Sequence, residues 1–557
     1  MTALLVALAL AACSNPGHGP TTTTAPSSVP SATSTPVDRP TGTTATWTYA
    51  SSYDVAAPTD AAPRPVVRCT AAGGADWLAR ERRLPGTSGW RRADPMLAPR
   101  VTLYPDRPST GCGAPVDVHL GGRGGRDVVV RAYRMGWYAG AGARLVWSSK
   151  PVDVPRAAPA PVHDRRVPSP RWTTTVRLPV GSAWPPGLYL LVAEVHGRPS
   201  GEAGLVVRDD AAAAPAAVVY SNLTWTAYSL AGGASLYRGS SGRSDTRALS
   251  AAVQRPLMFH SGSPLLTYDV PVAQLLDRAG VAADPLVDTD VDTWPSMLVH
   301  RTEVVLPGHS EYWTRTMFDA LTAARNAGAN VADLGANDMY WHARVEYDAT
   351  HVPVSMFVAR TVALDPLAHE DPTAATVQWR HAPLLRNPSA VVGQSYTAVR
   401  ARGGLQVRSV PQWLEGVRGF VAGAVLPHAA WNEVNGIRPG AYPVPDNVQV
   451  LAQGVLLRAG FDDQPVSTTY YSTRSGGAVF DAGSTYWPCL VMRACEGFVI
   501  GSPERATLWQ VMQRVLVGFQ TPSFGALHPS QPTRLPGVST LRTSLPAAAV
   551  GTYGLGD

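Results

Sequence analysis

Alternation of apolar and polar residues dominates the first folded part of the chain. Val116, Val118 and Leu120 alternate with polar residues, which is the period of a strand that buries one face. Similar strand-like runs, separated by Gly and Pro, occupy residues 128–133, 187–195 and 204–207. No helical period competes with this pattern, so we predict a β-sandwich domain over residues 62–210.

Helical periodicity enters beyond residue 210. In residues 272–279 apolar side chains fall at i, i+3, i+4 and i+7, and Gly280 follows them as a helix terminator. This pattern predicts an amphipathic helix, whose apolar face must be covered by a sheet or another helix.

A strand–helix–strand pattern follows that helix. Residues 303–306 and 330–334 have the composition of buried strands, and residues 314–326 between them predict a helix. Such a unit of about 30 residues builds parallel sheets. We therefore predict an α/β domain with a mostly parallel sheet over residues 211–545, which makes the chain an α+β multidomain protein.

Polar and aromatic residues follow both strands of that unit. The first loop carries His309, Glu311 and Tyr312, and the second carries Asn337 and Tyr340. Parallel strands end at the same edge of a sheet, so both loops are expected at the edge where open α/β sheets bind ligands. Two interpretations of the tyrosines stay open: phenolate ligands of ferric iron, or amphipathic wall residues with satisfied hydroxyls.

Proton transfer is the chemistry that the first loop indicates. His309 or Glu311 could carry a proton to a leaving amine, and Asn337 is predicted to contact the substrate. The alternatives are a helix-entry role for His309 and a helix-dipole role for Glu311. Ser310 stands where a nucleophile elbow would place its serine, but Tyr312 occupies the position that the elbow needs as Gly.

The charge pattern does not indicate a nucleic-acid partner. Lys and Arg (47) exceed Asp and Glu (41), which gives +6, but the arginines are scattered singly or in pairs. Hydrophobic residues make up 45% of the chain, enough for sizeable cores. No internal run reaches the roughly 18 apolar residues of a membrane span.

The N-terminus predicts export. An apolar run ends in Leu-Ala-Ala-Cys13 and resembles a bacterial lipobox, so we predict a lipoprotein signal peptide over residues 1–13 with lipid on Cys13. The alternative is an ordinary cleaved signal peptide with an incidental cysteine. Residues 14–61, rich in Ser, Thr and Pro, are predicted to be an extended tether. The expected location is the outer face of the bacterial cell membrane, with the membrane as partner through the lipid anchor.

The other cysteines agree with an oxidising compartment. Cys69, Cys112, Cys489 and Cys495 form an even set, which suggests two disulfides. Of the three possible pairings we expect Cys69 with Cys112 and Cys489 with Cys495, because each pair then lies within one predicted domain.

Several segments together resemble the large-subunit family of N,N-dimethylformamidase, especially its C-terminal domain. In order along the chain, the matching segments are residues 133–144, 221–228, 232–237, 309–313, 335–341 with Arg344, and 478–487. The resemblance runs from about residue 75 to residue 520. It implies a β-sandwich followed by an amidotransferase-like, flavodoxin-like α/β domain.

The resemblance also implies a metal site. Similar amide-hydrolysing proteins hold one iron with two tyrosines and a glutamate, and the motifs place the tyrosines at Tyr312 and Tyr340. The family glutamate is expected in a Gly-Tyr-Glu-like segment, but the best register puts Ala441 or Tyr442 there. Glu433 lies eight residues before Ala441 and could substitute for that glutamate only if the loop is rearranged.

Two functions follow as expectations. The first is an exported lipoprotein that hydrolyses the C–N bond of a small amide at a metal site. The alternative is a catalytically degenerate binding protein of the cell surface. The absence of the family glutamate from its expected position suggests this alternative. Sharing a fold does not by itself transfer an activity.

The anchor gives a first testable prediction. Because a lipid on Cys13 would hold the chain at the membrane, Cys13→Ser should move the protein from the membrane fraction to the medium or leave it unprocessed. Fractionation and mass spectrometry of the mature N-terminus measure this. A wild-type protein found free of lipid and released from the membrane would contradict the anchor.

Overall fold

The computed structural model describes residues 55–91, 98–211, 214–259, 262–495 and 497–554. The described chain mixes helices with many strands arranged in sheets. The predicted signal peptide, Cys13 and most of the predicted tether lie outside the described residues. Residues 48–557 group into one compact unit, so the boundary near residue 210 stays a prediction.

In the described residues before residue 210 there are ten strands and one short helix, α1 (Trp77–Glu81). The strands are β1 (Val101–Pro105), β2 (Ser109–Gly111), β3 (Val116–Gly122), β4 (Gly125–Met135), β5 (Ala143–Ser148), β6 (Val152–Val154), β7 (Arg166–Val167), β8 (Thr174–Leu178), β9 (Gly187–Val195) and β10 (Arg198–Arg208). The four strand regions predicted here from alternation all fall within these elements.

Two sheets of this part share a hydrophobic core. One has the order β1-β3-β8, and the other has the order β2-β10-β9-β4-β5 with β6 on β4. In β3 the predicted alternation is present, since Val116, Val118 and Leu120 are buried and the residues between them are half-buried. Leu103 of the first sheet and Leu191 of the second belong to the same buried cluster. Burial of one face of each sheet therefore explains the period of two.

The remaining elements are strands and helices that alternate at first. They are β11 (Ala216–Tyr220), α2 (Asn222–Tyr228), β12 (Ser250–Ala252), α3 (Val270–Ala279), β13 (Ala283–Val287), α4 (Asp288–Thr293), β14 (Glu303–Leu306), β15 (Tyr312–Trp313), α5 (Arg315–Asn326), β16 (Asn330–Asp333), β17 (Trp341–His342), β18 (Arg344–Tyr347), β19 (Pro353–Phe357), α6 (Pro366–Glu370), α7 (Ser389–Val392), β20 (Ser395–Val407), β21 (Val425–Gly436), β22 (Gln449–Leu457), β23 (Gln464–Ser472), β24 (Ala478–Asp481), α8 (Trp487–Met492), α9 (Ser502–Gly518), α10 (Phe524–Leu527), α11 (Val538–Ser544) and β25 (Val550–Gly554).

Single turns supplement these elements. A π-helical turn, Leu265–Asp269, leads into α3. Turns of 3-10 helix occupy Thr70–Ala72, Tyr138–Gly140, Pro295–Met297, Val362–Leu364, Pro372–Ala374, Gln412–Leu414 and Ala547–Ala549.

A ten-stranded sheet forms the centre of this second part. Its order is β13-β11-β14-β16-β24-β23-β22-β25-β20-β21. The first five strands are parallel to one another, whereas β24, β23 and β22 alternate in direction. The prediction of a mostly parallel sheet therefore holds for the first half of the sheet. The second half is mixed, since β22 and β25 are parallel and its other neighbouring strands are antiparallel.

The predicted strand–helix–strand unit is present as β14, α5 and β16. The side chain of Thr314 accepts a hydrogen bond from the backbone N–H of Met317 at 3.2 Å, which caps the helix. The amphipathic helix α3 also ends where the sequence predicted, because Gly280 adopts a φ of 78° at its C-cap.

A small sheet joins the two predicted domains, and the sequence did not predict it. Its order is β18-β19-β12-β7, so β7 of the first part pairs with β12 of the second. Two-residue and three-residue strands are too short to leave a periodic signal.

Membrane spans are a separate question from anchoring. None of the helices in the described part of the chain is long and apolar enough to cross a membrane.

Both expected disulfides are present. Cys69 is bonded to Cys112 across 43 residues of sequence, and Cys489 is bonded to Cys495 across six. All four cysteines are buried.

The loop lengths predict unequal contributions to stability. A cross-link that closes a longer loop removes more entropy from the unfolded chain. Cys69→Ala with Cys112→Ala should lower the free energy of unfolding by about 4 kcal/mol, and Cys489→Ala with Cys495→Ala by about 2 kcal/mol. Urea unfolding of the two double variants measures the difference, and the opposite order would contradict the loop-length argument.

Candidate active site

Two loops at one edge of the ten-stranded sheet form the centre of the candidate site. β14 and β16 are parallel neighbours, so the loops that follow them leave the same edge. Beyond the loops, β15 pairs with β17 in parallel, with Tyr312 opposite Trp341. The backbone N–H of Tyr340 donates to the carbonyl of Glu311 at 3.0 Å. The two loops therefore lie side by side, as the strand order predicts.

Segments that are distant in sequence complete the site. Tyr228 is the last residue of α2, and Tyr237 follows in a turn where its backbone N–H donates to Ser235 Oγ at 3.1 Å. Glu433 lies in β21, where its backbone N–H donates to Thr485 Oγ1 at 3.3 Å. Glu433 thus reaches the site from a strand, at the point where the pairing of β21 with β20 shifts register.

His309 lies between two carboxylates. Its Nε2 atom is 3.5 Å from Glu311 Oε2 and 3.9 Å from Glu433 Oε1. Its Nδ1 atom is 3.2 Å from the carbonyl oxygen of Ala336. The exposed fractions of the three ionisable side chains are 0% for His309, 4% for Glu311 and 12% for Glu433. Both ring nitrogens face acceptors, which suits a doubly protonated imidazole.

The charges of this trio depend on one another. Burial alone would lower the pKa of His309, but the charge of Glu433 and the hydrogen bond to Glu311 raise it to about 9. Burial would likewise raise the pKa of Glu311, yet His309 and Arg360 hold it below its usual range. Burial and the negative charge of Glu311 outweigh His309 at Glu433, whose pKa is raised. Of the two carboxylates, Glu433 is therefore the one that takes up a proton more readily.

Asn337 holds Glu433 in place. Its Nδ2 donates to Glu433 Oε2 at 2.6 Å, and its backbone N–H donates to Asn435 Oδ1 at 2.9 Å. Asn337 has a φ of 57°, a left-handed conformation that few residues other than Gly and Asn adopt. The residue predicted to contact the substrate lines the cavity described below and also contacts a carboxylate of the site.

One carboxylate oxygen of Glu311 accepts hydrogen bonds from two tyrosine hydroxyls. Tyr228 donates to Glu311 Oε2 at 3.2 Å, and Tyr237 donates to the same atom. The two tyrosine rings lie 4.4 Å apart between centroids. Burial, and then the charge of Glu311, raise the pKa of both tyrosines well above its ordinary value. Three hard oxygen donors therefore converge on one point.

The predicted metal ligands Tyr312 and Tyr340 have other partners. The hydroxyl of Tyr312 is fully buried and accepts a hydrogen bond from Arg360 Nη2 at 2.7 Å. The ring of Tyr340 lies 5.1 Å from the guanidinium of Arg380. A neighbouring cation competes with a metal cation at a tyrosine oxygen, and this applies equally to Tyr228, whose hydroxyl lies 3.2 Å from Nε2 of His309. The assignment of Tyr312, Tyr340 and Glu433 as iron ligands stays a prediction.

Ser310 has a structural partner. It is fully buried, and its Oγ atom accepts a hydrogen bond from the indole N–H of Trp313 at 3.0 Å. This hydrogen bond gives the hydroxyl of Ser310 a structural role, so a nucleophilic role is not needed to explain it.

A cavity of about 550 Å³ opens beside these groups. Glu311, Glu433 and Asn337 line it, whereas the side chains of His309 and Tyr312 are not part of the described lining. Six tyrosines also line it: Tyr228, Tyr237, Tyr268, Tyr340, Tyr396 and Tyr486. The cavity is in the size range of small-molecule sites and carries polar groups that can orient a ligand.

Comparison with protein families identifies the chain. The N,N-dimethylformamidase beta subunit-like, C-terminal family matches residues 129–497, which is more than half of the chain. The chain belongs to this family. A search of curated proteins finds no match.

The iron that the family resemblance implies can be compared with the donors present. Ligands of one ion with metal–oxygen bonds of roughly 2 Å lie within about 3–4 Å of each other. The hydroxyls of Tyr228 and Tyr237 are each hydrogen-bonded to Glu311 Oε2, so these three residues could supply the two tyrosines and one glutamate that the resemblance implies. In the described part of the chain, no group of three or more His, Cys, Asp or Glu side chains could hold a metal ion. The donors that fit are thus mainly tyrosines.

Tyr228 and Tyr237 were missed as site residues. Each is the last residue of a segment, 221–228 and 232–237, through which the sequence resembles the dimethylformamidase family. Their place in these two matching segments is the sequence signal that could have identified them. Neither follows a strand, however, so the strand-edge argument could not find them.

The charge trio predicts a pH-dependent stability. The pKa of His309 is higher in the folded chain, about 9, than its ordinary value of 6.5. Its charged form therefore stabilises the fold fully below about pH 6.5, and this contribution of about 3 kcal/mol is lost as pH rises through about 9. Glu433→Gln removes the charge that raises the pKa, so the pKa of His309 should fall.

Two measurements check this expectation. NMR titration of the His309 ring should give a lower pKa in Glu433→Gln than in the wild type. Urea unfolding should show a smaller loss of stability between pH 6.5 and 9 in that variant. Glu415→Gln, at an exposed glutamate, is the matched control and should leave both unchanged. An unchanged His309 titration in Glu433→Gln would show that Glu433 does not set this pKa.

Proposed function

We propose that this member of the dimethylformamidase-like family hydrolyses the C–N bond of an amide in the 550 Å³ cavity. The observation that carries the proposal is the buried His309 between Glu311 and Glu433, with both carboxylates on the cavity wall. Paired carboxylates whose pKa values differ in direction are the arrangement that acid–base chemistry needs.

Glu433 is assigned the proton transfers. It lines the cavity, its pKa is raised, and Asn337 fixes one of its oxygens. A water attacks the carbonyl carbon while Glu433 takes the proton of that water. The C–N bond then breaks, and Glu433 returns the proton to the amine nitrogen. The products are a carboxylic acid and an amine.

His309 is a positioning residue in this scheme. It lies behind the carboxylates, and its positive charge offsets their negative charges. An unpaired buried carboxylate is costly, so loss of His309 should disturb both glutamates. The sequence predicted that His309 itself carries the proton to the leaving amine. In this scheme Glu433 carries it instead.

Iron fits the proposed site. Tyr228, Tyr237 and Glu311 would hold it, and these three residues line the cavity. When bound there, ferric iron supplies Lewis acidity toward an amide carbonyl and toward water.

No observation in the described residues favours the binding-protein alternative. That alternative was suggested by segment 431–442, which lacks a glutamate at the position expected from the family. Glu311 and Glu433 both line the cavity, so the site contains carboxylates that could take part in acid–base chemistry.

The proposal extends to the fold and the location of the chain. We infer that the first two sheets form a β-sandwich, and that the ten-stranded sheet with its helices corresponds to the amidotransferase-like domain. Lipidation at Cys13 would place this body on the outer face of the membrane. The lipobox-like run and the two disulfides support that location.

Metal content tests the proposed donor set. Tyr228→Phe or Tyr237→Phe should lower bound iron and the phenolate-to-iron absorption at least tenfold, because each removes one oxygen donor. Tyr312→Phe and Tyr340→Phe should retain the metal. Tyr396→Phe, at a cavity tyrosine outside both sets, is the control. Elemental analysis and visible spectra measure the outcome, and loss of iron only in Tyr312→Phe and Tyr340→Phe would reinstate the sequence-based ligands.

Hydrolysis itself is tested at Glu433. Glu433→Gln cannot accept a proton, so kcat for amide hydrolysis should fall by about 10²–10⁴ with KM changed far less. Release of amine from formamides and larger amides measures this. Activity that survives in Glu433→Gln would remove Glu433 from the chemistry.

A further inference from the structure

Asn337 contacts Glu433 through the only hydrogen bond that its side chain makes among the described residues. Its Nδ2 donates to Glu433 Oε2 at 2.6 Å, whereas its Oδ1 atom is buried and has no partner there. The backbone of Asn337 adopts a φ of 57°. A left-handed residue keeps this conformation only where the surrounding structure holds it. The position of the amide that contacts Glu433 therefore depends on what holds the backbone of Asn337.

Asn435 supplies that support. The backbone N–H of Asn337 donates to Asn435 Oδ1 at 2.9 Å, and Asn435 is only 2% exposed. Glu433 and Asn435 are two residues apart in β21, and residues two apart in a strand lie on the same face. Asn337 is thus bound twice by one strand, at its backbone by Asn435 and at its side chain by Glu433.

Asp481 orients the amide of Asn435 from the opposite side. Asn435 Nδ2 donates to Asp481 Oδ2 at 3.1 Å, so the nitrogen and the oxygen of this amide each have a partner. Asp481 is fully buried, and its Oδ1 atom accepts the backbone N–H of Gly483 at 2.7 Å. It ends β24, which pairs with a strand on each side. Asp481 is therefore a fixed point for the amide of Asn435.

The end of β21 is held separately by its backbone. The backbone N–H of Asn435 donates to the carbonyl of Gly483 at 3.0 Å. The backbone N–H of Glu433 donates to Thr485 Oγ1 at 3.3 Å. Removal of the Asn435 side chain should therefore leave the strand in place and break its link to Asn337.

We propose that Asn435, anchored on Asp481, is a positioning residue that holds Asn337 in place. The amide of Asn337 in turn holds Glu433 toward the substrate. Asn435 is not part of the described cavity lining, so it acts through Asn337 and does not touch the substrate. This rests on the proposed role of Glu433 in amide hydrolysis and adds a residue to it. A displacement of about 1 Å in a reacting group can cost about a hundredfold in rate.

A double-mutant cycle tests this role in the full chain, with the amide that the wild type hydrolyses best. Asn435→Ala removes both hydrogen bonds of the amide. It should lower kcat about tenfold to a hundredfold and change KM less than about threefold. In the Glu433→Gln background it should lower kcat less than about threefold, because the group that it positions has already lost its function. Equal losses in the two backgrounds, or no loss in the first, would overturn the proposal.

Asn330→Ala is the matched control for stability. Asn330 is also fully buried and bonded at both atoms: its Nδ2 donates to the carbonyl of Phe519 at 2.9 Å, and its Oδ1 accepts the backbone N–H of Ala478 at 2.9 Å. It begins β16, at the end of the strand opposite the site. Asn330→Ala should lower the urea midpoint about as much as Asn435→Ala and leave kcat within about twofold of the wild type. A loss of kcat as large as that of Asn435→Ala would assign the effect to stability and contradict positioning. If Asn435→Ala does not fold, Asn435→Ser replaces it with the same expectations.

Failure of the proposed function gives a different result. If no amide is hydrolysed, or if Glu433→Gln keeps full activity, the hydrolysis scheme fails whatever Asn435 does. Crystal structures then decide whether Asn435 positions Glu433. In the Asn435 variant the distance from Asn337 Nδ2 to Glu433 Oε2 should lengthen from 2.6 Å to beyond about 3.5 Å, the limit of a hydrogen bond. A hydrogen bond retained in that variant would overturn the positioning role.

Discussion

The buried contact of one imidazole with two carboxylates is the interaction on which the candidate site depends. Three ionisable groups with little solvent contact are stable together only if their charges offset one another. His309 meets this condition at 3.5 Å from Glu311 and 3.9 Å from Glu433. The remaining contacts are arranged around that trio: Asn337 on Glu433, and Tyr228 and Tyr237 on Glu311.

The division of the ten-stranded sheet makes this meeting possible. Parallel β14 and β16 bring His309 and Asn337 to one edge by local connections. Glu433 comes from β21, the last strand of the mixed half of the sheet, 96 residues after Asn337. The second half of the sheet therefore supplies a carboxylate to the site from a strand. Strands hold side chains more rigidly than loops do, which suits a group that must face a substrate at a fixed distance.

Sequence periodicity predicted the parts of this fold that local burial decides. The alternation at Val116–Leu120, the capped helix α5 and the parallel pair β14 and β16 each follow from a pattern of a few residues. The small sheet of β7 and β12, and the antiparallel strands after β24, depend on long-range pairing that leaves no local period. Local sequence patterns were limited in the same way at the candidate site. His309, Glu311 and Asn337 were found because they follow strands, whereas Tyr228 and Tyr237 reach Glu311 from a helix end and a turn.

The packing of the first two sheets on one another has a consequence for how the chain can be divided. The family match begins at residue 129, inside β4, which pairs on both sides with β5 and β9. A fragment cut at that residue would lose β1 to β3 and the first four residues of β4, leave β6 without its partner and expose the apolar side chains that these sheets share. Open strand edges with apolar faces favour aggregation. The boundaries of the region that matches the family and the boundaries of an independently folding piece are therefore different, because the strands upstream of residue 129 cover apolar side chains of the strands that follow.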